Sequence, residues 1–399
     1  MTDHENISLE ERDLRYAERL AEMIRCRTVS KKGGFEAEEF LKLRQVIETL
    51  FPRMTEAAER TILGKDAYLY KLKGRDESRN VMVMSHHDVV EAKGTWREKA
   101  FGGTIRDGKL WGRGTIDTKT PLFAEFTAIE ELLEEGFVFP VNVYLFSSHN
   151  EETGGDGALL AFDYFNEKKI RFDWIIDEGG AVIEPPMAEV DEKKPFIRKL
   201  HPEVRGMFEA MAPHMSFPMG FVFSHLNLFS GLLIKMMPKL NAAAGEMLGT
   251  GCTFRRLSTD EEGNCVGEAF LRCINDADFA KDLATLRTLA AKHAVEITVR
   301  DEDNEYYRPA SLESGGYRYI KKTVEESFPY AAAVPFILPA GTDARHFSNF
   351  SDAVIRFAPI DIDKQQYASV HGENENISVD KLHLAVDFYK RLLKNIGTR

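Results

Sequence analysis

Cysteine is scarce in this 399-residue chain. The four present, Cys26, Cys252, Cys265 and Cys273, form no CxxC pair, which argues against a thiolate metal site and against a disulfide scaffold. Basic charge is also short. Lys and Arg total 52 against 64 Asp and Glu, a net charge of −12. That balance disfavours a nucleic-acid or anionic-membrane surface as the main business of the protein. Long apolar runs are missing too. The most apolar window, "FPMGFVFSHLNLFSGLLIKMMP", is interrupted by Pro218, Gly220, His225, Asn227 and Lys235. A membrane span needs about 20 nearly unbroken apolar residues, so the window reads as helical hairpin material in a lid or interface. The N-terminal "MTDHENISLEERDLRYAERLAEMI" reads as a polar amphipathic helix without a signal-peptide core, which makes a cytoplasmic location the default expectation. No internal repeat or low-complexity tract is evident.

What is present is the composition of a globular chain, 43% hydrophobic and 29% charged. Helical periodicity runs through 9–27 and 35–51. Strand-like runs follow at 67–74, 79–86, 140–148, 172–180 and 352–360. Helical stretches separate them at 120–135, 156–168, 278–293 and 315–328, with a terminal helix near 379–395. Apolar strands alternating with helices predict an α/β sheet covered on both faces. The segment 188–300 has another texture, rich in Met and Phe, and ends in a helix followed by a strand. It reads as an inserted second domain between 1–187 and 301–399. Within it, the stretch Met207 to Met237 is expected to serve core or interface packing rather than to wall a substrate pocket.

The polar residues that punctuate this pattern fall just after strands. "VMVMSHHDVV" ends in His86, His87 and Asp88. "LWGRGTIDTK" carries Asp117, "SSHNEETGGDGA" carries Glu151 and Glu152, "WIIDEGG" carries Asp177 and Glu178, and "SVHGENENIS" carries His371. A sheet of this kind collects such loops at one edge. Singly, each has a plain reading as a capped His, a solvated acid or a turn. Jointly, two His and three carboxylates suit a pair of borderline divalent ions such as zinc. A shared carboxylate can bridge two metals about 3.5–4 Å apart. Glu151 would then be spare, and a spare carboxylate beside a metal-bound water can act as general base.

These motifs, in this order, resemble the dizinc peptidase family that includes glutamate carboxypeptidase, aminoacylase, acetylornithine deacetylase and succinyl-diaminopimelate desuccinylase. The family's H-x-D is His86-His87-Asp88, its "GRGxxD" is "GRGTID", its Glu pair lies in "NEETGGDGA", and its last two ligands fall in "DEGG" and "VHGENE". The spacings of 31, 35 and 26 residues between His86, Asp117, Glu152 and Glu178 match the family's. "DEGG", "GTDARHFS" and "APHM" bring it nearest to the carboxypeptidase S and N-fatty-acyl-amino-acid hydrolase branch. The resemblance implies a zinc-exopeptidase-like catalytic domain with a mixed sheet, plus a smaller α+β lid or dimerisation domain. It implies that His86 and Glu178 bind one metal, Glu152 and His371 the other, and that Asp117 bridges them. Glu151 would be the base, and Asp88 would orient His86 by a hydrogen bond. His87 and His149 would be spectators. The peptide after Asp117 would be cis. Two divalent ions are implied, zinc foremost, with cobalt or manganese as alternatives. The substrate would be a small molecule, a dipeptide or an N-acyl amino acid, and the resemblance leaves room for a homodimer through the lid. Arg345, in the turn "GTDARHFS", could grip the substrate's α-carboxylate as a fork. The plain alternative is a surface salt bridge. His346 reads as structural.

The lid departs from the family pattern. No Gly-rich "GHxS" turn is found, and "DEGGAVIEPPM" passes almost directly to "KKPFIRKLHPEVRGMFEAMAPHM". His201, His214, His225 and His293 sit in no matching turn and receive no oxyanion role. "EGNCVGEAFLRC" loosely echoes a later lid motif and makes Asn264 a candidate substrate contact. Either the first half of the lid is lost, or it is disordered and the numbering closes over it. The second reading is the expectation, with successive Cα atoms between Ile183 and Lys193 much farther apart than about 3.8 Å. Two functions compete. One is a metal-dependent hydrolase of a peptide or N-acyl bond next to a free α-carboxylate. The other is a metal-binding scaffold whose catalysis is impaired by the missing lid histidine. Retention of Glu151 favours the enzyme.

Overall fold

Successive side chains of a strand point to opposite faces, and the apolar run Val81 to Met84 uses both. In the computed structural model Val81 and Val83 enter one hydrophobic core, Met82 and Met84 a second core on the other face. Val143 and Leu145 divide from Tyr144 and Phe146 in the same way. That is why these runs are apolar without alternation: both faces of the strand are covered. The structure describes residues 8–183, 197–240, 247–259, 263, 265–273, 276–299, 308–337 and 341–397. The chain divides into two compact units. One comprises Met1–Pro185, Ala310–Ala333 and Gly341–Arg399, the other Pro186–Pro309 and Val334–Ala340.

Among the described residues, the main sheet of the first unit has six strands: β1 (Glu59–Leu63), β2 (Ala67–Leu72), β3 (Asp76–Met84), β4 (Val141–Ser147), β5 (Ile175–Asp177) and β6 (Val354–Arg356). They lie in the order β1-β2-β4-β3-β5-β6. The pairs β1/β2 and β2/β4 are antiparallel, whereas β4, β3, β5 and β6 run parallel to their neighbours. Parallel neighbours require crossovers, supplied by helices Lys119–Glu134 and Gly157–Glu167. The first packs Phe123 and Phe126 into one core, the second Ala161 and Phe165 into the other. The result is a mixed α/β sheet with helices on both faces. Its register sets Met84 level with Phe146 and Asp177, and Asp177 level with Arg356. Four carboxyl ends therefore finish at one edge. A smaller antiparallel sheet of Thr104–Arg106, Lys109–Trp111 and Asn376–Ser378 sets Trp111 opposite Asn376.

Phe146 is fully buried and meets the Phe347 ring edge-on at 5.8 Å. Phe146→Ala should cost about 3–5 kcal/mol, measured as a lowered urea midpoint with an unchanged slope. An unchanged midpoint would remove Phe146 from the core.

The strands after 172 and 352 are shorter than their apolar runs imply. Gly179 and Gly180 turn the chain away with φ of 100° and 75°. β1 was not foreseen, because Glu59 and Arg60 are exposed at the sheet edge and break the apolar pattern.

In the second unit, Gly249–Thr259 pairs antiparallel with Cys265–Arg272 and with Ile197–Arg198. The apolar window forms helices Met219–Ser224 and Leu226–Leu240. Phe223, Leu226 and Leu233 join Met207 and Phe208 in the core of this unit, as packing residues should. Phe217 and Leu228 remain exposed, at 84% and 77%. Among the described residues, helix Asp276–Ala291 is not followed by the expected strand. Residues 295–299 pair with no described strand, and Val295 stands exposed. A strand without a neighbour leaves its backbone groups to water, so local propensity did not suffice. Asn264 lies outside the described residues, as does the expected junction up to Lys193 beyond Ile183 itself. Among the described residues, no helix is long and apolar enough to cross a membrane.

Candidate active site

β3 stays extended past Met84. The Ser85 amide donates to Phe146 O at 3.2 Å, and the His87 amide to Ser148 O at 3.0 Å. Alternation then sends His86 and His87 to opposite sides. His87 stacks on Tyr68 with centroids 4.3 Å apart, its Nδ1 lying 2.8 Å from Ser147 Oγ. Burial lowers its pKa to about 3. His149 is likewise buried, edge-on to Phe35 and Phe40. His86 instead faces the sheet edge. Its Nδ1 lies 3.0 Å from Asp88 O and 3.3 Å from Asp88 Oδ1. Asp88 can hold a proton on Nδ1, and Nε2, which faces Asp117, is the ring atom that could ligate a metal. The Asp88 carboxylate does more than orient His86. It also accepts hydrogen bonds from Ser30 Oγ (2.6 Å), Glu151 N (3.1 Å) and Glu152 N (3.2 Å). Asp88 thereby holds the short turn Glu151–Thr153 against the end of β3.

Asp117 is the meeting point. Its Oδ1 lies 2.9 Å from His86 Nε2 and its Oδ2 lies 2.9 Å from His371 Nε2. The same His371 atom is 3.0 Å from Glu152 Oε2. Two groups result, His86 with Asp117 and Glu178, and Asp117 with Glu152 and His371. Within each, the potential ligand atoms lie inside 4.8 Å of one another. The structure therefore brings together all five residues named from the sequence as ligands. The Asp117–Thr118 peptide is cis.

The charges are crowded. Burial raises the Glu178 carboxyl strongly, and Asp177 and Asp117 raise it further. Burial likewise raises Glu152, and it lifts Glu151 to about 8. Burial also opposes ionisation of Asp117, but hydrogen bonds from His371 and His86 hold it below its ordinary value. Hydrogen bonds to Asp117 and Glu152 raise His371 to about 10. Glu152 Oε1 is buried with no hydrogen-bond partner among the described residues. Acids that raise one another around an unpaired buried oxygen fit a divalent cation, which would neutralise them.

Arg345 lies in the short helical turn Asp343–Phe347 and donates from Nε to His346 Nε2 at 3.0 Å. A Cβ at Gly341 would stand 3.1 Å from its Nη1, and one at Gly154 3.9 Å from its Nη2, so the guanidinium rests beside the Glu151–Thr153 turn. Among the described residues no carboxylate lies within ion-pair reach of it. Asp177 anchors the same turn by accepting from Ala344 N at 2.9 Å. Sequence reasoning missed two buried acids here. Asp343 accepts from Ser148 Oγ, and Glu375 accepts from the backbone beside Asp117. The only signal for Glu375 was its place four residues after His371.

Residues 82–395 match the model of peptidase family M20/M25/M40. The chain belongs to that family and is an enzyme of its metallopeptidase and amidohydrolase kind. It is 26% identical over 447 residues to a probable carboxypeptidase S-like 2 of Dictyostelium discoideum, covering 96% of this chain and 85% of that protein. That alignment is longer than this chain, so the relative carries internal segments that are lacking here. An N-fatty-acyl-amino acid synthase/hydrolase PM20D1 of Xenopus tropicalis is 23% identical over 411 residues, covering 89% of this chain and 80% of that one. In fold, the chain is similar to the M20 family metallo-carboxypeptidase Sso-CP2 from Sulfolobus solfataricus. The TM-score is 0.68 at 15% identity, over 95% of this chain and 98% of that one.

Proposed function

We propose that this enzyme uses two divalent cations to hydrolyse a peptide or N-acyl amide bond next to a free α-carboxylate. The observation that carries the reading is Asp117, which offers one oxygen to each of two ligand groups while Glu151 stands next to Glu152 outside both. His86, Asp117 and Glu178 would hold one cation, and Asp117, Glu152 and His371 the other. Imidazole and carboxylate donors suit zinc best, with cobalt or manganese also accommodated. Bound cations would polarise the scissile carbonyl and lower the pKa of water.

The chain's own residues do the rest. Glu151 takes a proton from water and passes it to the leaving amine. Its carboxyl is raised to about 8 chiefly by burial, and positive charge held beside it would favour the ionised form that accepts a proton. Asp88 fixes both the His86 ring and the amides of Glu151 and Glu152, so ligand and base share one anchor. Arg345, lacking a carboxylate partner among the described residues, receives the substrate's α-carboxylate. The relatives named for carboxypeptidase and N-fatty-acyl-amino acid hydrolase chemistry support both bond types.

The test is hydrolysis of dipeptides and N-acyl amino acids with and without a chelator. Loss on chelation and recovery with zinc support the reading. Chelator-insensitive hydrolysis overturns it. Arg345→Met should raise KM on the order of 10- to 100-fold, the worth of charge-assisted hydrogen bonds, with kcat little changed. The same variant should no longer distinguish a free carboxylate from its methyl ester. An unchanged KM would assign carboxylate recognition to another group.

A further inference from the structure

Glu375 is wholly buried, yet its surroundings are hydrogen-bond donors. Oε1 accepts from Ile116 N (2.7 Å) and Asp117 N (3.2 Å). Oε2 accepts from Gly114 N (3.1 Å) and from the Arg113 guanidinium. Arg113 is buried as well. Its Nη2 donates to Gly372 O at 2.6 Å, and its guanidinium lies 5.2 Å from the centre of the Trp96 ring. Gly112 N closes the set on Glu375 O at 2.9 Å. His371, next to Gly372, sits in the left-handed region at φ 59°, where a non-glycine residue needs its neighbours to hold it.

One buried ion pair thus joins the segment 112–117 to the segment 371–375. The Lys109–Trp111 and Asn376–Ser378 strands already pair by backbone beside it. A buried ion pair is weak evidence for stability, since its desolvation offsets most of its attraction. Its use is better sought in what it places. Both Glu375 oxygens are spent on the loop that carries Asp117, and the guanidinium fixes the turn that carries His371.

We infer that Glu375, held by Arg113, is a positioning residue that fixes Asp117 relative to His371 and so sets the affinity of the second cation site. The inference rests on the metal reading proposed above. Glu375→Gln puts an NH2 group where an oxygen now meets donors on both sides. Arg113→Lys keeps the charge but cannot reach Glu375 and Gly372 O together. The test is cobalt(II) titration of wild type and both variants, followed by visible absorption, with folding checked by circular dichroism and kcat and KM measured on the zinc-loaded forms. Wild type should take up two equivalents. Both variants, folded, should bind the second equivalent about 10- to 100-fold more weakly, and kcat should fall while KM changes less. Folded variants that bind both equivalents as wild type does, whatever their melting temperatures, overturn the inference and leave the pair a mere brace. If Glu375→Gln fails to fold, Arg113→Lys alone decides. A wild type that takes up no cobalt overturns the metal reading itself, and the inference with it.

Discussion

Glu151→Gln should keep both cations and lose hydrolysis by about 10²–10⁴-fold, the range for removing a general base. The substitution preserves shape and volume. The turn it sits in is held through the Glu151 and Glu152 amides to Asp88, and those bonds do not involve the side chain. Glu151 is also outside both ligand groups, so metal content should not change. The neutral amide cannot accept a proton from water. Steady-state kinetics with metal analysis of the same sample separates the roles. Near-normal turnover with full metal would move the base elsewhere. Lost metal would make Glu151 a ligand.

Asp117→Ala should abolish activity by emptying both sites at once. No other residue belongs to both ligand groups. His86 Nε2 and His371 Nε2 would each lose a carboxylate now 2.9 Å away. A ligand that binds only the folded state stabilises it by about 2.7 kcal/mol at one hundred times its Kd. Wild type should therefore melt higher with zinc than with chelator, and Asp117→Ala should melt at the same temperature in both. A variant that still gains stability from zinc and still turns over would show that Asp117 is not shared.

Part of this site was legible in the sequence because His86, Glu151, Glu152 and Glu178 follow strands of the main sheet, whereas His371, expected after a late strand, follows the short helix Lys364–Ala368. A parallel strand buried on both faces, such as Val81 to Met84, marks where the sheet ends, and His86 comes two residues later. The same logic placed Glu151, Glu152 and Glu178. Other features depend on partners that no local pattern encodes. β1 is an edge strand whose exposed Glu59 and Arg60 hide the period. The segment after Ala291 has strand-like residues but pairs with no strand among the described residues. Asp88 was legible as the partner of His86. Its hold on the Glu151 turn was not, since that contact joins residues 63 apart. Glu375 is harder still. A Glu in a polar loop reads as solvated, and only the fold reveals that three amides and a guanidinium surround it.

The most direct test of the account is anomalous diffraction from crystals grown with zinc. Two peaks about 3.5–4 Å apart are expected. One should lie between His86 and Glu178, the other between Glu152 and His371, with Asp117 contributing an oxygen to each. Two peaks that share no ligand, a single peak, or peaks away from Asp117 would contradict it.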